Sequence, residues 1–220
     1  MAIISASILA ANLASLSEEV KRVENMIDEI HLDVMDGHFV PNLTFGFPMI
    51  EALRTFTNLP IDAHLMVTNP TDLIKGFVEK GATRVTVHQE VCYHLHRTVE
   101  YIKSLGAEAF VAINPATPLS TLEEILPYVD GILVMTVNPG FSGQKFIPTM
   151  IEKIKRLSDI RKHKSYQFKI AVDGGVGNEN AVELVKIGVD ILVMGYGVFR
   201  NPRLAQLREE ILNASANTEY

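Results

Sequence analysis

Ile30-His31-Leu32-Asp33-Val34-Met35 alternates without a break: its even positions are branched and apolar, and its odd positions are His31, Asp33 and Met35. Side chains leave a β-strand on opposite faces with period two. One face of this segment is therefore hydrocarbon, and the other carries an imidazole, a carboxylate and a thioether. Ile61–Met66 repeats the arrangement, with Ile61, Ala63 and Leu65 on one face and Asp62, His64 and Met66 on the other. A third run puts Phe168, Ile170 and Val172 together and ends with Asp173 on the opposite face.

The same kind of run recurs along the whole chain of 220 residues. The expected strands are Ile3–Ser7, Glu29–Met35, Ile61–Met66, Arg84–His88, Ala109–Asn114, Gly131–Thr136, Phe168–Asp173 and Asp190–Met194. Amphipathic stretches lie between them, among them Ser17–Met26, Thr71–Lys80, His94–Leu105, Phe146–Arg161 and Glu179–Ile187. Gly81, Gly106 and Gly188 stand where three of these helices must close before the next strand. Eight βα units in so short a chain predict an α/β fold, a single (β/α)8 TIM barrel spanning residues 1–220. A doubly wound open sheet would carry a glycine-rich turn after its first strand, whereas Ser7-Ile8-Leu9-Ala10 follows here.

In such a barrel the apolar face of each strand meets the helices, so the His/Asp/Met face points inward. Those polar residues sit toward the C-terminal strand ends, where barrel active sites lie. His31, Asp33, His64 and Asp173 are thereby expected to converge. A lone buried His or Asp is most often a satisfied structural group. Four together are different: no Lys or Arg shares the inward register near these strand ends, and an unpaired buried carboxylate is costly. One divalent cation resolves that cost, and two imidazoles with two carboxylates form a suitable ligand set. His88 faces inward behind this group, whereas His38, His94, His96 and His163 carry no such pattern.

Asp33 and Asp173 come from the second and seventh strands and can flank a planar intermediate. A carboxylate on one face removes a proton next to a ketone, and an acid on the other face returns one, which inverts that carbon without an organic cofactor. Met35, Met66 and Met135 share the inward register and can keep water out. The glycine-rich turns Gly140-Phe141-Ser142-Gly143, Gly174-Gly175 and Gly195-Tyr196-Gly197 follow late strands, the usual place for backbone amides that hold a phosphate.

Net charge is −6 at 47% hydrophobic content, an ordered acidic chain that lacks the basic face of a nucleic-acid binder. Cys92 is the single cysteine, so no internal disulfide forms and a cytoplasmic location is expected. No Lys or Arg precedes Lys21, which argues against a secretory leader, and no apolar run reaches membrane-spanning length.

The segments Ala6-Ser7-Ile8-Leu9, His31–Asn42, Asp62–Val67, Asn114–Pro118, Met135–Phe141 and Val172–Val176 resemble, in order and over essentially the full length, the ribulose-phosphate 3-epimerase family. The resemblance implies a metal-dependent barrel that interconverts ribulose 5-phosphate and xylulose 5-phosphate. It implies ligands at His31, Asp33, His64 and Asp173 for zinc or another divalent ion, Fe2+, Mn2+ and Co2+ accepting the same donors. It further implies Asp33 and Asp173 as the acid/base pair, Ser7 against the sugar, and a homo-oligomer, either a dimer or a hexamer. The chain departs from the family at Ala6, where proline is usual, at Ser142, and at Tyr196-Gly197, where a small hydroxyl residue usually meets the phosphate. That last departure keeps a six-carbon substrate, allulose 6-phosphate, as the alternative. Related barrel decarboxylases and aldolases generally need a lysine near the aspartates, which Asp33-Val34-Met35 does not offer. A non-catalytic sugar-phosphate binding protein is the remaining alternative.

Overall fold

The structure is a computed structural model and describes residues 1–216. The last four residues of the expected domain lie outside the described ones. Eight parallel strands close on one another in chain order. They are β1 (Ile3–Ser7), β2 (Glu29–Met35), β3 (Ile61–Met66), β4 (Arg84–His88), β5 (Glu108–Ile113), β6 (Gly131–Met135), β7 (Lys169–Asp173) and β8 (Ile191–Met194). The first four coincide with the expected segments. The later four differ by a residue at one or both ends, because pairing decides where a ladder stops: the β6–β7 register ends at Met135 with Asp173, a pair closed by the Thr136 amide donating to Asp173 O at 2.8 Å.

The helices are α1 (Leu16–Val23), α2 (Phe47–Arg54), α3 (Thr71–Glu79), α4 (Leu95–Ser104), α5 (Met150–Lys164), α6 (Ala181–Lys186), α7 (Tyr196–Phe199) and α8 (Leu204–Ala216). The expected Phe146–Arg161 helix starts later and ends later. Ile147 donates its amide back to Thr136 O at 2.9 Å and Pro148 follows, so winding begins only at Met150. The expected glycine stops hold, with φ of +111° at Gly81, +85° at Gly106 and +104° at Gly188. No helix among the described residues is long and apolar enough to cross a membrane.

Strand parity sorts the core as the alternation requires. Ile30, Leu32, Val34, Ile61, Ala63, Leu65, Ile170 and Val172 pack outward in one cluster with helix residues such as Ile50, Leu53 and Ile74. The interior is divided. Its β5–β8 side is hydrocarbon, built on Phe110, Ala112, Leu133, Met135, Ala171, Ile191 and Val193. Its β2–β4 side is polar, carrying the buried Glu29, His31, Asp33, Asp62, His64, Arg84, Thr86 and His88. Arg84 plugs the N-terminal end. Its guanidinium lies 4.3 Å from the Phe110 ring centroid and donates to Glu29 at 2.6 Å and Glu108 at 3.0 Å. Gly131 leaves room for that stack, since a Cβ there would sit 2.2 Å from Phe110 Cζ. The inward arginine is therefore committed at the far end of the barrel.

Candidate active site

The C-terminal mouth of the barrel opens into a cavity of about 490 Å3, with Asp33 and Asp173 in its wall. The register sets His31 of β2 beside Asp62 of β3, and Asp33 beside His64. His31 Nε2 lies 3.3 Å from Asp33 Oδ1 and 3.9 Å from Asp173 Oδ2. His64 Nδ1 lies 3.4 Å from Asp33 Oδ1 and 3.8 Å from Asp173 Oδ2. The two facing imidazole nitrogens are 3.1 Å apart. One donor atom from each of His31, Asp33, His64 and Asp173 falls within 4.8 Å of every other. Two nitrogens and two carboxylate oxygens crowded in this way, with two negative charges and no lysine or arginine among them, fit a single divalent cation.

The histidines are held from behind. His31 Nδ1 lies 3.1 Å from Asp62 Oδ2, while Asp62 Oδ1 accepts the Thr86 hydroxyl at 2.8 Å. A carboxylate only accepts, so His31 carries a proton on Nδ1, and its Nε2 is turned to the cluster. His64 Nε2 meets His88 Nε2 at 2.9 Å, and His88 Nδ1 meets Glu90 Oε2 at 3.2 Å. Burial pushes the His88 pKa down to about 4, so the ring is neutral near pH 7.

The two aspartates have unlike environments. Burial opposes ionisation of Asp33, but the charge and hydrogen bonds of His31 and His64 outweigh it and hold the carboxyl well below the usual range. Burial and the charge of Asp33 both raise Asp173 well above that range. Burial also opposes charge on His31, yet Asp33 and Asp62 keep it well above the ordinary imidazole value. Paired carboxyls pushed in opposite directions suit acid/base exchange.

The expected contacts converge as well. Ser7, Met35, Met66, Met135, Gly140, Phe141, Ser142, Gly143, Gly174, Gly175, Gly195 and Tyr196 all line the cavity. His64 does not; it is fully buried behind the carboxylates. Ser7 points its hydroxyl at Asp33 Oδ2, 2.6 Å away. Gly175 has φ of +66°, and a Cβ there would sit 2.4 Å from the Phe146 amide nitrogen, so both conformation and space demand glycine. His38, His94, His96 and His163 are exposed, as their sequence setting suggests. Cys92 is buried with its thiol pushed up to about 11 by burial, so it is no nucleophile. Asp62, Thr86 and Glu90 support the site without having been singled out from the sequence. Asp62 shares the inward register of His64, but the pairing that sets it behind His31 exists only once β2 and β3 are aligned. Asn178, Asn180 and Arg200 extend the cavity wall outward, and no sequence pattern marked them.

Among solved structures, tryptophan synthase α-subunit variants from the hyperthermophile Pyrococcus furiosus share the architecture. One superposes with a TM-score of 0.69 at 17% identity, covering 96% of this chain and 97% of that one, which shows the fold alone. Sequence relatives are much nearer. A ribulose-phosphate 3-epimerase of Aquifex aeolicus (strain VF5) is 46% identical over 200 residues, 90% of each chain. The chloroplastic ribulose-5-phosphate-3-epimerase of Arabidopsis thaliana is 50% identical over 200 residues, 90% of this chain and 71% of that protein. The profile of the ribulose-phosphate 3 epimerase family matches residues 3–199. On that extent and that level of identity, the chain belongs to the ribulose-phosphate 3-epimerase family of carbohydrate isomerases.

Proposed function

We propose that this chain interconverts ribulose 5-phosphate and xylulose 5-phosphate by moving a proton on and off C3, with Asp33 and Asp173 as the exchanging pair. The observation that carries the reading is geometric: Asp33 of β2 and Asp173 of β7 meet in the wall of one cavity, with an oxygen of each within 4.8 Å of the other and of a nitrogen from His31 and from His64.

His31, Asp33, His64 and Asp173 would hold one divalent cation, for which Zn2+ is the first candidate and Fe2+, Mn2+ and Co2+ are the others. When bound, the cation supplies positive charge that stabilises the oxyanion developing as C3 loses its proton. Asp33 stands on β2 and Asp173 on β7, with β1 and β8 between them on the shorter side of the barrel. From there each carboxylate addresses a different face of a flat enediolate. The ionised partner takes the C3 proton, the protonated partner delivers one to the opposite face, and the roles exchange for the other epimer. Ser7 steadies Asp33 through its hydroxyl. Met35, Met66 and Met135 form an apolar wall that keeps water from the intermediate. Backbone amides of the turns at Gly174-Gly175 and Gly195-Tyr196 would hold the phosphate, with Gly140–Gly143 folding over the sugar. The buried free thiol of Cys92 suits a reducing, cytoplasmic setting.

The pentulose reading is preferred to allulose 6-phosphate because the relatives carry the ribulose-phosphate name. Separate incubations with each sugar phosphate in D2O, followed by proton NMR at C3, test it. Exchange accompanied by the second pentulose epimer is expected. Exchange confined to the hexulose, or in neither, removes the reading.

A further inference from the structure

Glu90 lies outside the four-residue cluster and touches it only through His88. We infer that Glu90 is a positioning residue: acting through His88, it sets the ring tautomer of His64 and so keeps the cluster-facing nitrogen Nδ1 free of a proton. The inference deepens the metal-site reading above and rests on it for its consequence, though not for the tautomer itself.

The hydrogen-bond directions follow one from another. Glu90 Oε1 already accepts the Asn114 amide at 2.7 Å and the Thr117 hydroxyl. Those donors stay in place because Lys153 Nζ ties down the backbone carbonyls of Asn114, Pro115 and Thr117 at 3.3, 2.6 and 2.8 Å. Glu90 Oε2 is left to face His88 Nδ1 at 3.2 Å. A carboxylate accepts and does not donate, so His88 carries its proton on Nδ1 and offers a lone pair at Nε2. His64 Nε2 stands 2.9 Å from that lone pair. With His88 Nε2 bare, a hydrogen bond across this separation requires the proton to be on His64 Nε2, which is the donor. A neutral ring has one N–H, which leaves His64 Nδ1 as a lone pair aimed at the cluster. The Phe39 ring, 4.7 Å from that of His88, limits its freedom to flip.

A structural tie and a tautomer relay are separable at Glu90. Glu90→Gln keeps an oxygen for the Asn114 amide and Thr117 hydroxyl, so the link from β4 to the end of β5 survives. It replaces Oε2 by an amide NH2 that donates toward His88 Nδ1. His88 must then carry its proton on Nε2, His64 Nε2 becomes the acceptor, and the His64 proton moves to Nδ1, into the ligand position.

The test uses the full chain, 15N-labelled at histidine, before and after addition of Zn2+. Long-range proton–nitrogen NMR is expected to find His64 as the Nε2–H tautomer in the wild type and as Nδ1–H in Glu90→Gln. Zn2+ competition against a chelator is expected to show about 10- to 100-fold weaker binding in that variant, the usual effect of losing an outer-shell partner. Thr117→Val, which removes one donor to Oε1 but leaves the relay, is expected to keep the wild-type tautomer and bind within about threefold. An Nδ1–H tautomer in the wild type, which needs no variant to detect, overturns the inference; so does an unchanged tautomer in Glu90→Gln. If the tautomer switches as stated but the wild type binds no Zn2+, the relay stands and the metal-site reading falls.

Discussion

The Ser7 hydroxyl donates to Asp33 Oδ2 at 2.6 Å, joining the last residue of β1 to an inward residue of the adjoining strand β2. A hydroxyl on a buried carboxylate is a charge-assisted bond, worth about 1.5–3 kcal/mol. Ser7→Ala leaves that oxygen of Asp33 without its donor in a site where water is scarce. We expect kcat/KM for ribulose 5-phosphate to fall by about 10- to 100-fold, the same interval expressed as a rate, with the melting temperature lowered as well. Unaltered steady-state kinetics would mean that Asp33 is positioned by its other partners alone.

Asp33→Asn and Asp173→Asn each remove a proton-transfer group and a ligand atom while preserving shape. Each is expected to lower kcat by at least about 10^3-fold, within or beyond the range ascribed to general acid/base groups. Solvent-deuterium exchange at C3 should collapse with turnover in both variants. Near-wild-type exchange in either one removes that residue from the mechanism.

Metal analysis of protein purified without chelator is expected to find about one divalent ion per chain. Chelation should abolish activity and lower the melting temperature, since an ion bound only by the folded state adds to its stability. Adding back Zn2+, Fe2+, Mn2+ or Co2+ one at a time, with activity as the readout, ranks the candidates. Full activity in a preparation shown to be metal-free would count decisively against the site.

Asp36 closes the loop that leaves β2. Burial would raise its carboxyl, but the backbone amides of Thr68, His38 and Phe39 outweigh burial and hold it down at about 2. A folded-state value below the unfolded one stabilises the protein above the ordinary carboxylate range, and that contribution is lost as pH falls through the folded value. Asp36→Asn is therefore expected to be less stable than the wild type at pH 6. The gap should narrow as the pH is taken from about 4 toward about 2. Urea midpoints measured along that series check the sign; a gap that widens with acid would reverse it.

Gly175→Ala asks a residue with a side chain to hold φ of +66° with its Cβ 2.4 Å from the Phe146 nitrogen. The strain of a non-glycine residue in that region costs about 1–3 kcal/mol before any clash is counted. A lower melting temperature is expected, together with a raised KM for the sugar phosphate because the turn that would hold the phosphate must shift. A lower melting temperature with unchanged KM would separate the turn from substrate binding.

Much of the fold and of the site is legible in the sequence. The alternation in Ile30–Met35 and Ile61–Met66 placed His31, Asp33 and His64 on the inward face, because side-chain direction in a strand depends only on parity. Gly81, Gly106 and Gly188 marked helix ends, because the left-handed turn they adopt is a local requirement. The start of α5 was misplaced, because apolar spacing in Phe146 and Ile147 looks helical, while a backbone bond to Thr136 keeps them extended from the helix.

Parity and punctuation are one-dimensional, and they determined the strands, their faces and the barrel class. Distances between strands are not written in that pattern. Closure of the ring and the stagger of each pair decided that Asp62 stands behind His31, that Asp173 arrives from β7 within reach of Asp33, and that Glu90 reaches His64 through His88. The unlike environments of the two aspartates belong to the same level, since burial and neighbouring charge come into being only when segments far apart in the chain are packed together.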